Sequence, residues 1–226
     1  MVSKNNQILQ IIREINPDDP TKYVTDLVKE FSLEKINDKI LNCNLCGNNR
    51  NKTLLSGNVN SKVLVISDTP KKYQFNSNIK TARTLENERA NILFDILSEI
   101  NIDPNSLLYC NCISCIDSNS TSLLPCKKEL CNCYNNILKN IIKIVDPEAI
   151  LLLGNVPLRL FFNENFLNLR GQLLDINGIE AMATYNLSYF ETMKNLKERE
   201  ILLSEYNLFK TDIINFFEYI QKKGII

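Results

Sequence analysis

The chain of 226 residues contains no histidine. That absence excludes Ser-His-Asp triads, Cys-His pairs, HExxH zinc sites and any imidazole acid or base. Glycine is scarce: there are six, none in a GxGxxG or GxxxxGKS/T array, so the common phosphate-cradling loops are missing as well. No apolar run reaches the roughly 18 residues needed to span a bilayer. The N-terminus, MVSKNNQILQII, has neither a secretory apolar region nor a small-residue cleavage site, so a cytoplasmic protein with no membrane association is expected. Charge of either sign is lacking in excess, with 26 basic against 26 acidic side chains. This balance argues against a polybasic nucleic-acid binder but not against a local basic groove. The abundant asparagine, 32 residues, fits A/T-rich coding and carries no functional reading.

What the chain does have is a core's worth of apolar residues, 44%, and eight cysteines at 43, 46, 110, 112, 115, 126, 131 and 133. Without an export signal a disulfide framework fits poorly, and a soft-metal site is the better reading. Cys43 and Cys46, two residues apart, offer two thiolates from one tight turn, a geometry that zinc and iron–sulfur sites share. Cys110 and Cys112 lie in LLYCNCI, an apolar strand pattern, and suit small buried hydrophobes. Cys115 falls just past that strand, and Cys131 and Cys133 open a helical stretch. Spacing alone separates neither zinc from iron nor Cys131 from Cys133, and thiols that merely pack remain the third reading.

The periodicity predicts helices over 5–15, 20–31, 33–42, 86–100, 127–145 and 195–222, with a short one at 156–162. Asp19-Pro20 is a start signal and Pro147 a stop. Strands are expected at 62–67, 107–113 and 149–154. A hairpin over 171–185 turns on Asn177-Gly178, with its second arm closing the sheet, and 68–84 reads as an irregular loop. In the last helix Leu202, Tyr206, Phe209, Ile213, Phe216, Phe217 and Ile220 fall on one face. Strands alternating with helices predict a three-layer α/β/α sandwich around a central four-stranded, mainly parallel sheet. Residues 1–32 form a helical extension and 33–226 the α/β domain. Ligands bind such sheets beyond the strands' carboxyl ends. Here those ends carry Ser67-Asp68-Thr69-Pro70, Ser114-Cys115, Gly154-Asn155 and Thr184-Tyr185-Asn186.

The ordered set CNLC (43–46), VLVISDTP (63–70), LLYCNCISC (107–115), Cys131 after fifteen intervening residues, DPEAILLLG (146–154), LRG (169–171) and ATYNLSYF (183–190) resembles the iron–sulfur (family 4) uracil-DNA glycosylases over about residues 36–190. The resemblance implies a hydrolase of base-excision repair, a monofunctional glycosylase and a monomer. Its partner would be uracil-containing DNA, single- or double-stranded. It implies a structural [4Fe–4S] cluster on Cys43, Cys46, Cys115 and Cys131, zinc being the alternative. It makes Asn111 the reader of the flipped uracil. Asp68 and Asn186 stand where the family has Glu and His, and would assist the sugar cation and the leaving anion. Ser67 and Lys71 replace two glycines of the first motif. Leu85 stands at the base-stacking position, with Tyr73 and Phe75 nearby. Leu187, Tyr189 and Phe190 match a loop that wedges the minor groove, or else anchor that loop in the core. Lys71, Lys72, Lys80, Arg83 and Arg170 could meet phosphates. Because the departures fall on working positions, two other readings stand beside the enzyme. One is a degenerate glycosylase fold serving as a DNA-binding or protein-interaction module; the other is a redox or zinc module sharing the fold.

Overall fold

The computed structural model describes residues 20–48, 50–71, 74–75, 78–85, 90–117, 125–194 and 199–226. The expected helix 5–15, Lys72 and Tyr73 lie outside them. In chain order the elements are α1 (Pro20–Leu41), β1 (Asn51–Leu54), β2 (Ser56–Gly57), β3 (Val63–Ser67), β4 (Thr81–Arg83) and α2 (Asn91–Glu99). There follow β5 (Leu108–Asn111), β6 (Cys115–Ile116), α3 (Lys127–Cys133), a π turn (Tyr134–Leu138), α4 (Lys139–Val145) and β7 (Ala149–Leu153). The chain closes with α5 (Asn155–Phe161), α6 (Phe166–Leu169), β8 (Leu173–Ile176), β9 (Ile179–Thr184), α7 (Leu187–Lys194) and α8 (Arg199–Lys222).

The main sheet has six strands in the order β2-β5-β3-β7-β9-β8. Its inner four are parallel, and the two edges are antiparallel. The expected four-stranded parallel sheet is therefore present, widened by one short strand on each side. Helices cover both faces, which is why the inner strands are apolar throughout rather than alternating. Along β3, Val63 and Val65 face one layer while Leu64 and Ile66 face the other. The first layer is α2 with Leu93, Ile96 and Leu97, and α8 with Phe209, Ile213, Phe216, Phe217 and Ile220. The second is α1 with Leu33, Ile36 and Ile40, the π turn with Ile137 and Leu138, and α4 with Ile141 and Val145. The side chain of Leu202 lies outside the described set.

Three expectations need correcting. The helices foreseen at 20–31 and 33–42 are one helix, α1, because no Gly or Pro interrupts it. It runs across the expected boundary at residue 32. In the hairpin, Asn177 (φ 53°) and Gly178 (φ 90°) form the turn as anticipated. The second arm, β9, lies inside the sheet against β7, and the first arm, β8, is the edge. Finally, β4 lies within the expected loop 68–84. It joins β1 and β6 in a second, three-stranded sheet. These strands are two to four residues long and polar, so no alternation marks them.

Candidate functional site

The parallel register brings the carboxyl ends of four strands level. Ser67 pairs with Asn111 and with Leu153, and Leu153 pairs with Thr184. The pairing continues past β3: Cys112 N–H donates to Ser67 O at 2.7 Å and Ile113 N–H to Asp68 O at 3.3 Å. Asp68, Asn111, Gly154 and Asn186 thereby come to one edge of the sheet.

Asp68 sits over the start of α5. Val156 N–H donates to its Oδ1 at 3.1 Å. Burial pushes the Asp68 carboxyl up to about 6, against the lowering influence of Lys71, Asn186 and the Val156 bond. The residue keeps a partly open surface while its carboxyl is packed by protein, as expected of a group lining a cleft. Space for it depends on Gly154, whose backbone (φ 110°, ψ 177°) is in a region essentially restricted to glycine. A Cβ there would lie 2.6 Å from Asp68 Oδ1. Gly154→Ala is expected to cost about 1–3 kcal/mol of stability and to displace the carboxylate. Denaturant unfolding and the pH dependence of activity would register the two effects separately.

Asn186 caps α7. Its Oδ1 accepts from Ser188 N–H and Ser188 Oγ, both at 2.9 Å. With the oxygen committed, the orientation of the amide is fixed and its NH₂ is left for the site. The amide is close enough to lower the Asp68 pKa. It nevertheless falls short of hydrogen-bond geometry, and Nδ2 is a buried donor without a partner among the described residues. Asn111 is buried at 5% exposure and Ser67 at 9%.

Other expected site residues land elsewhere. Leu85 is a core residue at 8% exposure, with φ 55°, an unusual backbone for leucine. Leu187 and Phe190 are buried in the layer of α2 and α8, and Tyr189 stacks on Tyr185 at 5.1 Å. Residues 187–190 thus begin a helix and anchor it in the core rather than forming a projecting wedge. Arg170 is not free for a phosphate. It pairs with Asp212 at 2.6 Å and lies over the Tyr185 ring, while Thr184 Oγ1 donates to the same carboxylate at 2.6 Å. This bracket fastens α8 to the strand end preceding Asn186. Arg83 donates to Leu55 O. Nothing local in the sequence connects Arg170 with Asp212, 42 residues on.

A second group of residues gathers around the cysteines. The short sheet carries Cys115 on β6 next to Lys52 on β1, and Lys52 Nζ donates to Cys43 O. Arg50 donates to Cys46 O at 3.2 Å and pairs with Glu129 of α3 at 2.6 Å. Asn132 Nδ2 donates to Leu45 O and to Cys46 Sγ, both at 3.4 Å. The early CxxC turn is therefore tied directly to the late helix. The neighbouring Cys133 thiol, aided by Arg50 and Lys52 and opposed by burial, holds the Cys115 thiol down to about 6, while Cys133 is pushed up. Cys131 is exposed. Cys126 is exposed too, and serves as N-cap of α3 in a capping box with Glu129. Cys110 and Cys112 are buried with their thiols pushed up by burial, the packing role expected of them. An open cavity of about 610 Å³ adjoins the CxxC turn, lined in part by Cys43, Arg50, Lys52 and Lys80 and, among the described residues, by no acidic side chain. Sulfur donors with N–H and cationic neighbours suit a thiolate-bound metal. Among the described residues, however, no three metal-ligating side chains are drawn together at ion-binding spacing.

The uracil DNA glycosylase superfamily model matches residues 55–208, a span that includes all four strand ends. The chain belongs to the uracil DNA glycosylase superfamily. Its members are DNA glycosylases, hydrolases that act on DNA, and membership supports a uracil-DNA glycosylase-like function here. The search of curated proteins returns no significant match. Cys43 and Cys46, and Asp212 at the far end, lie outside the matched span. Among the described residues no helix is long and apolar enough to cross a membrane.

Proposed function

We propose that this glycosylase hydrolyses the N-glycosidic bond of uracil in DNA, leaving an abasic site, and that it belongs to the iron–sulfur (family 4) branch. Flipping a base from a duplex costs a few kcal/mol, least when the base is mismatched or already single-stranded. Asn111 reads the flipped uracil, since a side-chain amide can accept from N3–H and donate to O4. Asp68 stabilises the developing sugar cation or positions the attacking water. Asn186 Nδ2 meets the negative charge that grows on the leaving base. The observation that carries this reading is a carboxylate and a fixed amide donor, unpartnered among the described residues, brought together at the ends of β3 and β9 on either side of β7.

Support for a [4Fe–4S] cluster comes from the donor chemistry: Cys43 and Cys46 on one turn, Cys115 on the strand beside it, and a cysteine of α3, with the Asn132 amide already donating to sulfur. In this role the cluster is structural and joins the CxxC turn to the domain. The working protein is a cytoplasmic monomer.

The decisive assay incubates full-length, anaerobically purified protein with uracil-bearing single- and double-stranded oligonucleotides. Abasic, alkali-labile product is expected, and Asn111→Ala should reduce its formation at least about tenfold, the loss of one reading contact. Binding without cleavage at enzyme excess, with the metal content intact, would establish the second reading, a degenerate module that holds DNA. The burial of Leu187 and Phe190, which anchors that segment in the core, favours that reading.

A further inference from the structure

We infer that the fourth sulfur ligand of the metal site is Cys133 and not Cys131; this rests on the cluster reading above. Successive residues of an α-helix are turned by about 100°. On α3, Glu129 meets Arg50, Asn132 meets Leu45 and Cys46, and Cys133 meets Cys115. These three residues define the flank of α3 that looks at the CxxC turn and β6. Cys131 lies on the other side of Asn132 from Cys133, about 150° from the middle of that flank, and it is exposed. Cys133 is 5% exposed. For Cys131 to face the other sulfurs, α3 would have to roll by nearly half a turn. That would break the Arg50–Glu129 pair and both Asn132 bonds.

The cause is the π turn, Tyr134–Leu138. Leu138 at its end and Ile141 downstream of it are fully buried, and Ile141 fixes the inward direction. Counting back from Ile141 along an unbroken α-helix sets Cys131 and Cys133 about 80° to either side of that direction, which is why spacing alone cannot separate them. A π turn takes one more residue per turn, so everything before it is rotated by about one residue's worth, on the order of 100°. The rotation carries Cys133 inward and Cys131 out to solvent. On ligation the Cys133 thiol gives up its proton and binds as the thiolate.

The test measures iron and acid-labile sulfide per chain, with the visible absorbance of the cluster, in anaerobically purified full-length protein and its variants. Cys131→Ser is expected to retain the wild-type iron content and Cys133→Ser to lose most of it, with circular dichroism melts reporting whether each variant folds. The double variant Cys126→Ser, Cys131→Ser removes both exposed cysteines and is expected to keep its full iron; this arm does not depend on Cys133→Ser folding. Loss of iron in Cys131→Ser or in the double variant, while Cys133→Ser keeps it, overturns the assignment and leaves the cluster reading intact. Zinc in place of iron, with the same variant pattern, upholds Cys133 and overturns the cluster. A wild-type protein that binds neither metal overturns both.

Discussion

Asp68→Asn is expected to lower uracil excision by a factor on the order of 10²–10³ and, in the same protein, to raise stability at pH 8. Both effects follow from placing a carboxylate where water is largely excluded. Burial lifts its pKa from 3.8 to about 6. The folded state therefore holds a proton that the unfolded chain has released between those values. The stabilisation from this group is fully present below about pH 4 and is lost as pH rises through 6. The gap corresponds to about 3 kcal/mol at most. An asparagine removes the penalty and can still accept from Val156 N–H, so a gain of about 1–3 kcal/mol at pH 8 is expected, shrinking toward zero near pH 4. Denaturant unfolding of both proteins at several pH values measures it. Activity has the opposite sign. The ionised form is the one that meets a cation or a water, so wild-type kcat/KM should rise about tenfold per pH unit below 6 and level off above it. If Asp68→Asn retained full activity, the carboxylate would serve only to cap α5.

How much of this was legible in the sequence depends on the range over which each signal acts. The apolar runs at 63–67 and 149–153 announced strands buried on both faces, and Asn177-Gly178 announced its own turn, because both signals are local. Family resemblance marked Asp68, Asn111 and Asn186, and the strand register brings their ends level. The two readings of Leu187, wedge or core anchor, stood level in the sequence because an apolar residue after a strand reads the same whether it projects or anchors; its packing in the layer of α8 favours the anchor. Leu85, which the resemblance sets at the stacking position, is likewise packed in the core. Gly154 had a faint signal, a glycine closing a strand before a short helix, but its purpose appears only when Asp68 arrives from β3. The Asp212 bracket had no signal, since its partners lie in other elements. The choice between Cys131 and Cys133 was hidden by a single π turn, which no periodicity of side chains foretold.

Asn186→Asp is the substitution that separates the two jobs of this side chain. An aspartate oxygen can accept from Ser188 N–H and Oγ as the asparagine oxygen does, so the cap on α7 survives. What is lost is the Nδ2 donor, replaced by an oxygen facing Asp68. Excision should fall by about 10²–10³, as for the loss of one donor to developing negative charge. The new carboxylate also disfavours ionisation of Asp68, so the two groups titrate as a coupled pair and the acid limb of the activity profile moves above pH 6. Asn186→Ala gives a different pattern. The donor is lost as before, about 1 kcal/mol of capping is lost with it, and the acid limb moves by much less because no second charge is introduced. If Asn186 only capped the helix, Asn186→Asp would be nearly silent in turnover and Asn186→Ala would lose activity only as far as it lost stability. Steady-state rates across pH, read beside melting curves for the same two variants, distinguish a donor aimed at the leaving base from a helix cap.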